Sequence, residues 1–327
     1  MLDVKAPAPN AIEQTLKRLA PYVVRTPVTR AVGPRIEAAL GTQVVFKLEL
    51  LQHTGTFKFR GALNNMLALE DPSQGVTTVS AGNHAVAVAR AAKDLGRDAK
   101  LVMLESANPA RRALAAAYGC ELKFCADGPT AFAEAERLAE VEGRAFIHPF
   151  DGPLIAEATA CIGFELIDDC PDLEAVVVAI GGGGLAGGFA AGIKQRSPNC
   201  EVYGVEPVGA DGMSQSLAAG AALTGIAVTT IADSLAPPLT TAHTVGLCAR
   251  YIDAVETVDD EAICRAMALM FEEAKLAVEP AGAAALAGAL GPLNERLRGR
   301  RVGILVCGTC IDAPTFARLL ERGSELP

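Results

Sequence analysis

The chain has 327 residues, half of them hydrophobic, and a formal net charge of -9. That length accommodates two domains or one large α/β unit, and the negative balance argues against nucleic acid as a partner, since phosphate binding needs concentrated Lys and Arg. No apolar run approaches the ~20 residues of a membrane span, and the opening Met1-Leu2-Asp3-Val4-Lys5-Ala6-Pro7 has no apolar leader core, so a cytoplasmic protein without membrane partners is expected.

In chain order, short apolar runs predict strands over 44–48, 76–80, 100–104, 121–124, 145–147, 175–180, 201–205 and 301–306. Amphipathic stretches predict helices over 83–95, 109–118, 129–142, 185–196, 259–274 and 281–290. Several strands are bare Val/Ile/Leu runs without alternation, as expected where helices cover both faces of a parallel sheet. The expected class is α/β with mainly parallel strands. The turn cluster His148-Pro149-Phe150-Asp151-Gly152-Pro153 marks a crossing between two α/β units. The sequence runs to Pro327, soon after the helix expected to follow the last strand, so no appended regulatory domain is expected.

Four histidines (His53, His84, His148, His243) are scattered, with no HExxH and no i, i+4 pair, so a histidine-built metal site is not expected. Nine cysteines read as cytosolic usage, most of them small buried apolar side chains. Cys307-Gly308-Thr309-Cys310 follows a strand and has the CxxC form of a redox pair, but no second CxxC exists to complete a zinc ribbon.

The segment Thr54-Gly55-Thr56-Phe57-Lys58-Phe59-Arg60-Gly61-Ala62 combines a turn, hydroxyls able to cap a helix, and a lysine between aromatic residues. A poorly hydrated lysine at a helix start has a lowered pKa and can attack carbonyls as a free amine. An ordinary helix-surface lysine fits Lys58 equally well when it is taken alone. Gly181-Gly182-Gly183-Gly184-Leu185 follows a strand and opens a helix, an arrangement whose amides converge on a phosphate. Gly182, Gly184 and Gly187 also satisfy the GxGxxG dinucleotide fingerprint, with Glu206 near the position of a ribose-binding acid. A nicotinamide-linked oxidoreductase is therefore a rival reading. Ser80-Ala81-Gly82-Asn83-His84 precedes another helix and can hold a carboxylate. Glu279-Pro280-Ala281-Gly282 starts a third, where Glu279 also reads as a simple capping acid.

These stretches occur in one fixed order, and from Pro21 to about Leu320 the chain resembles the fold-type-II family of pyridoxal 5′-phosphate enzymes, specifically its serine/threonine dehydratase branch. Phe59 stands where the sulfhydrylase and threonine synthase branches usually carry an acid. The resemblance implies a large cofactor-binding domain (1–70 and 150–327) and a small α/β domain (71–149), with the active site between them, in a homodimer. It implies Lys58 as the Schiff-base lysine and the base at Cα. Phe57 would pack on the cofactor, Asn83 would bond its 3′-oxygen, and Gly181, Gly182, Gly183, Gly184 and Leu185 would cradle the phosphate. Cys307 would face the pyridine nitrogen, Glu279 would belong to the cofactor site, and Ser80, Ala81, Gly82, Asn83 and His84 would receive the substrate carboxylate. The implied reaction removes water from a β-hydroxy amino acid (serine, threonine or a bulkier analogue), giving a 2-oxo acid and ammonia.

Several positions depart from the family pattern. Ala81 replaces the serine that racemases of the family use as a second base, which favours elimination over racemisation. A divalent-cation site would need Glu206, the carbonyl of Ala210 and a carboxylate at Gly212, and glycine supplies none. The segment 154–161 lacks the Gly-Gln-Gly-Thr of threonine dehydratases, and Cys307-Gly308-Thr309-Cys310 departs from Ser-Gly-Gly-Asn. Both are nearer to liver-type serine dehydratases, and the CxxC then reads as a turn against the cofactor ring. The substrate-proximal loop Ala236-Pro237-Pro238-Leu239-Thr240-Thr241-Ala242-His243 matches no consensus of the family. A racemase of the same fold and a catalytically idle relative that keeps the cofactor remain as alternatives.

Overall fold

Short apolar strands gather into two sheets in the computed structural model of the chain, which describes residues 4–30 and 32–324. Residues 1–3, read above for a leader, and 325–327 at the chain end lie outside the described residues. The strands are β1 (Val28–Thr29), β2 (Val44–Leu48), β3 (Val76–Val79), β4 (Ala99–Leu104), β5 (Glu121–Cys125), β6 (Ala145–Phe146), β7 (Ala175–Ala179), β8 (Glu201–Pro207), β9 (Ala254–Val258) and β10 (Val302–Val306). The first seven helices are α1 (Pro9–Leu19), α2 (Pro34–Leu40), α3 (Lys58–Leu67), α4 (Asn83–Asp94), α5 (Pro109–Ala117), α6 (Gly128–Glu142) and α7 (Pro153–Asp169). They are followed by α8 (Gly184–Arg196), α9 (Gly212–Ala219), α10 (Ala242–Tyr251), α11 (Asp260–Ala274), α12 (Pro280–Leu290), α13 (Asn294–Leu297) and α14 (Ala313–Ser324).

One sheet has the order β1-β2-β10-β7-β8-β9 and the other β5-β4-β3-β6. Among the named strands only β1 and β2 pair antiparallel, and the remaining strand pairs are parallel. Strands β2, β3, β7 and β10 are buried along their whole length, the burial that bare apolar runs predict. No helix among the described residues is long and apolar enough to cross a membrane.

The sequence reading gave no counterpart for α1, α2, α9, α10 and α13, nor for β1, β9 and α7. β1 spans two residues. β9 is an edge strand, partly exposed over most of its length, with no clean alternation. α7, at 17 residues, is buried on nearly every face, so it shows no polar stripe. It lies close against α8 because both carry small residues at the contact. A Cβ on Gly163 would stand 2.6 Å from the carbonyl oxygen of Phe189, and Cβ atoms on Gly188 and Gly192 would strike the carbonyls of Ala156 and Ala160.

A buried cluster of charges fixes α3. Lys47, Glu49, Arg60 and Glu165 are all 3 % exposed or less. Arg60 reaches Glu49 at 2.8 Å and Glu165 at 2.7 Å, while Lys47 donates to Glu165 and to the Thr26 carbonyl, each at 2.7 Å. Thr26 donates to Glu49 at 2.5 Å. Burial works against the Arg60 charge, but the two carboxylates outweigh it and raise its pKa. For Glu165, Arg60 and Lys47 outweigh burial and lower the pKa. β2, α3 and α7 are thereby joined where α3 begins.

Candidate active site

Because β2, β10 and β7 are parallel neighbours, their carboxyl ends lie along one edge. The connections leaving that edge carry Lys58, Cys307 and the glycines of 181–184. An open parallel sheet places its ligand sites outside such carboxyl ends. The end of β3 in the other sheet adds Ser80–His84, and Lys58, Asn83, Gly181–Leu185, Glu279 and Cys307 line one continuous cavity.

Lys58 opens α3. Its Nζ donates to the Pro149 carbonyl at 2.6 Å and stands 5.1 Å from the centre of the Phe57 ring. Among the described residues no carboxylate forms an ion pair with it. Burial lowers its pKa to about 8, against a smaller opposing pull from Cys307 and Glu279. The lysine is thus a desolvated amine rather than a helix-surface residue. The hydroxyl cap expected for α3 does not form: Thr56 Oγ1 makes only a 3.5 Å contact with the Lys58 amide, and Thr54 Oγ1 is buried without a partner.

Each glycine of the 181–184 loop meets a different neighbour. Gly183 has φ +87°, which L side chains rarely adopt. A Cβ on Gly181 would stand 2.9 Å from the Leu235 backbone, one on Gly182 would enter the Phe150 ring, and one on Gly184 would strike the Phe150 carbonyl. α8 then begins with no side-chain cap, so its first amides face the cavity. The GxGxxG pattern has another cause here. A Cβ on Gly187 would lie 2.8 Å from Leu247 Cβ, so Gly187 serves helix packing. Glu206 does not face a ribose: its oxygens accept from the amides of Met213 and Ser214 at 2.8 Å and from Ser214 Oγ at 2.6 Å, at the start of α9. The same bonds occupy the carboxylate that a cation near Ala210 would need. No group of three or more His, Cys, Asp or Glu able to hold a metal occurs among the described residues.

Glu279 does not cap α12 with its side chain. Its carboxylate accepts from Asn83 Nδ2 at 2.7 Å and lies 3.4 Å from Arg111. Burial raises its pKa to about 7, with Arg111 opposing. Asn83 Oδ1 is buried and has no partner. Ser80 Oγ accepts from the Gly82 amide at 3.1 Å, and Ala81 lies beside them in the loop. The His84 ring lies 3.0 Å from the Ile147 carbonyl. Burial lowers its pKa to about 3, so the neutral ring donates to that carbonyl. What His84 offers the loop is then its main-chain amide. Cys307 Sγ donates to the Ala281 carbonyl at 3.3 Å and Cys310 Sγ to the Thr54 carbonyl at 2.9 Å, and both are free thiols. Burial pushes the Cys307 thiol up, and the Cys310 thiol up to about 12, which is poor chemistry for a redox pair.

Beyond Lys58 and the Ser80–His84 loop the cavity widens into a cleft of about 310 Å³. Arg111, Phe132 and Asp233 were not singled out in the sequence, and Pro149 and Phe150 were read only as part of a turn, yet all line it. Arg111 crosses its mouth, bonding Asp233 at 2.6 Å and the Cys310 carbonyl at 2.9 Å. Pro237 and Pro238, from the loop that matched no consensus, form part of the wall.

Residues 19–308 match the family model described as "Pyridoxal-phosphate dependent enzyme". The chain is 47% identical to a phenylserine dehydratase of Ralstonia pickettii, with 96% of each chain covered. It is 36% identical to an L-threonine ammonia-lyase of Geobacter sulfurreducens, covering 95% of this chain and 78% of the relative. The structure of maize serine racemase superposes with a TM-score of 0.91 at 34% identity, covering 98% of this chain and 99% of the other.

Proposed function

The chain belongs to the pyridoxal-phosphate-dependent enzyme family, and from that premise we propose that its substrate is a β-hydroxy amino acid bearing a bulky apolar group at Cβ, an aryl group above all. The broader activity is that of a pyridoxal-phosphate-dependent carbon–oxygen lyase that converts a β-hydroxy amino acid to a 2-oxo acid and ammonia. This replaces the nicotinamide reading of Gly182–Gly187. The observation that carries the substrate reading is the cleft itself: about 310 Å³, with Phe132, Phe150, Pro237 and Pro238 on its walls. Serine or threonine alone has no use for such a wall. The resemblance to a phenylserine dehydratase supports the same reading.

The residues present fit the cofactor. Four glycines form a cradle that any Cβ would obstruct, the start of α8 carries uncapped amides for a phosphate, and Asn83 has a buried oxygen without a partner. We assign the phosphate to Gly181–Leu185, the ring hydroxyl to Asn83 backed by Glu279, a ring face to Phe57, and the ring nitrogen to Cys307. A thiol there is a neutral partner and does not force protonation of the ring. When bound, pyridoxal phosphate supplies the carbonyl that condenses with amines and the sink for charge left at Cα.

The protein's own groups account for the rest. The amides at the start of α4 and Ser80 hold the substrate carboxylate. Lys58, unpaired and desolvated, takes the Cα proton. Ala81 has no proton to return, which supports elimination over inversion. The cleft walls exclude water from the Cβ substituent while the hydroxyl departs. The test is a panel of phenylserine, threonine, serine and 3-hydroxyaspartate scored for ammonia and 2-oxo acid. Phenylserine should lead in kcat/KM by roughly tenfold or more; a lead for serine or threonine overturns the substrate reading.

A further inference from the structure

The cleft wall holds one aromatic residue that the fold itself does not use. α6 turns Ala131, Ala135 and Leu138 into the core of the four-stranded sheet, against Val79 and Val102. Phe132 belongs to no part of that core and is 41% exposed, yet it lines the cleft that begins at Lys58. Its direction is set by a rigid helix start: Asp127 caps α6 by accepting from the Thr130 amide at 2.8 Å, and Pro129 occupies the first turn. Across the cleft, Pro237 and Pro238 follow the turn Asp233–Leu235, which rests on Gly181. Two consecutive prolines carry no N–H. The Pro238 carbonyl already accepts from Ile226 at 2.9 Å. That stretch of wall therefore offers no backbone donor to a hydroxyl or carboxylate. The charges nearest the mouth, Arg111 and Asp233, are paired with each other.

We infer that Phe132, together with Pro237 and Pro238, forms the subsite that grips the β-aryl group and sets the enzyme's preference for it. The inference rests on the substrate reading above. An aryl ring on Cβ gains an aromatic partner on one side and proline faces on the other. A methyl group covers little of that surface, and a second carboxylate would lose water there without gaining a partner. Phe132 comes from the four-stranded sheet's side and the prolines from the other, so the ring is held from both.

The experiment compares phenylserine with threonine in the holoenzyme and in its Phe132→Ala and Phe132→Leu variants. Phe132→Ala should cut kcat/KM for phenylserine roughly 10- to 100-fold, mostly through KM, and leave that for threonine within about threefold. Phe132→Leu should lose less. Calorimetric binding of phenylalanine, which has the aryl group but no departing hydroxyl, should weaken in step, while binding of alanine should not. Phe124→Ala, at an exposed phenylalanine of β5 that stacks on Arg112, is the control and should change neither ratio. If the wild type favours phenylserine and the ratio survives Phe132→Ala, the Phe132 assignment falls while the substrate reading stands. If the wild type shows no such preference, both fall.

Discussion

Lys47 and Lys58 sit at opposite ends of the segment joining β2 to α3, and the protein treats them oppositely. Lys47 is fully enclosed and bonded to Glu165 and the Thr26 carbonyl. Lys58 has a lone carbonyl, that of Pro149, and no carboxylate. The contrast repeats within one turn of helix, since Arg60 is held by two buried carboxylates. Where the charge is matched, it joins β2, α3 and α7. Where compensation is withheld, the amine's proton is loosely bound and α3 presents it to a cleft. The matched cluster holds in place the group that must stay unmatched.

The widest break of this comparison is Lys58→Ala. It should reduce ammonia release at least about a thousandfold while leaving the thermal midpoint of the cofactor-free chain no lower, because it removes an uncompensated amine. A fall in midpoint would make Lys58 a structural residue like Lys47. Arg60→Met is the mirror case: two carboxylates lose a buried partner, and denaturant titration should show a loss of about 3–5 kcal/mol. An unchanged denaturation midpoint would deny the cluster its role.

Proton linkage sharpens the contrast. In the cofactor-free chain the Lys58 pKa lies near 8 rather than 10.5. The folded state then holds fewer protons than the unfolded state between those values, and stability rises with pH across that window. Glu279 shifts the other way, from 4.5 to about 7, so its contribution falls as pH rises from 4.5 to 7. Unfolding free energies measured against pH should lose the first slope in Lys58→Met and the second in Glu279→Gln. The smallest effect belongs to Cys310→Ala: with both thiols raised in pKa, activity should stay within about twofold, with or without a dithiol reductant.

Much of this was legible in the sequence wherever chemistry is contiguous. Ser80–His84 and Gly181–Leu185 each follow closely on a buried strand, and Lys58 stands at the end of the segment that leaves β2; burial on both faces produces the bare apolar runs that mark such strands. α7 was not legible because a helix buried all round has no stripe, nor was β9, a half-exposed edge. Arg111, Phe132 and Phe150 come singly from α5, α6 and the turn before α7, with no motif around them, so only the folded arrangement brings them to one cleft. Glu279 was legible as a position, but its bond to Asn83 was not, because the alternative of capping α12 depends on where the carboxylate turns.

The helix starts carry one more consequence. α5, α6, α10 and α11 begin with a side-chain cap from Asn108, Asp127, Thr241 and Asp259. α3, α4, α8 and α12, whose first turns reach the cavity, begin with none. Helices α1, α2, α7, α9 and α13 have no such cap either, but at α8 the uncapped first turn lines the cavity, so part of the hydrogen bonding that would finish that helix is left for the molecule that enters. The melting temperature then becomes a binding isotherm, climbing with the logarithm of cofactor concentration.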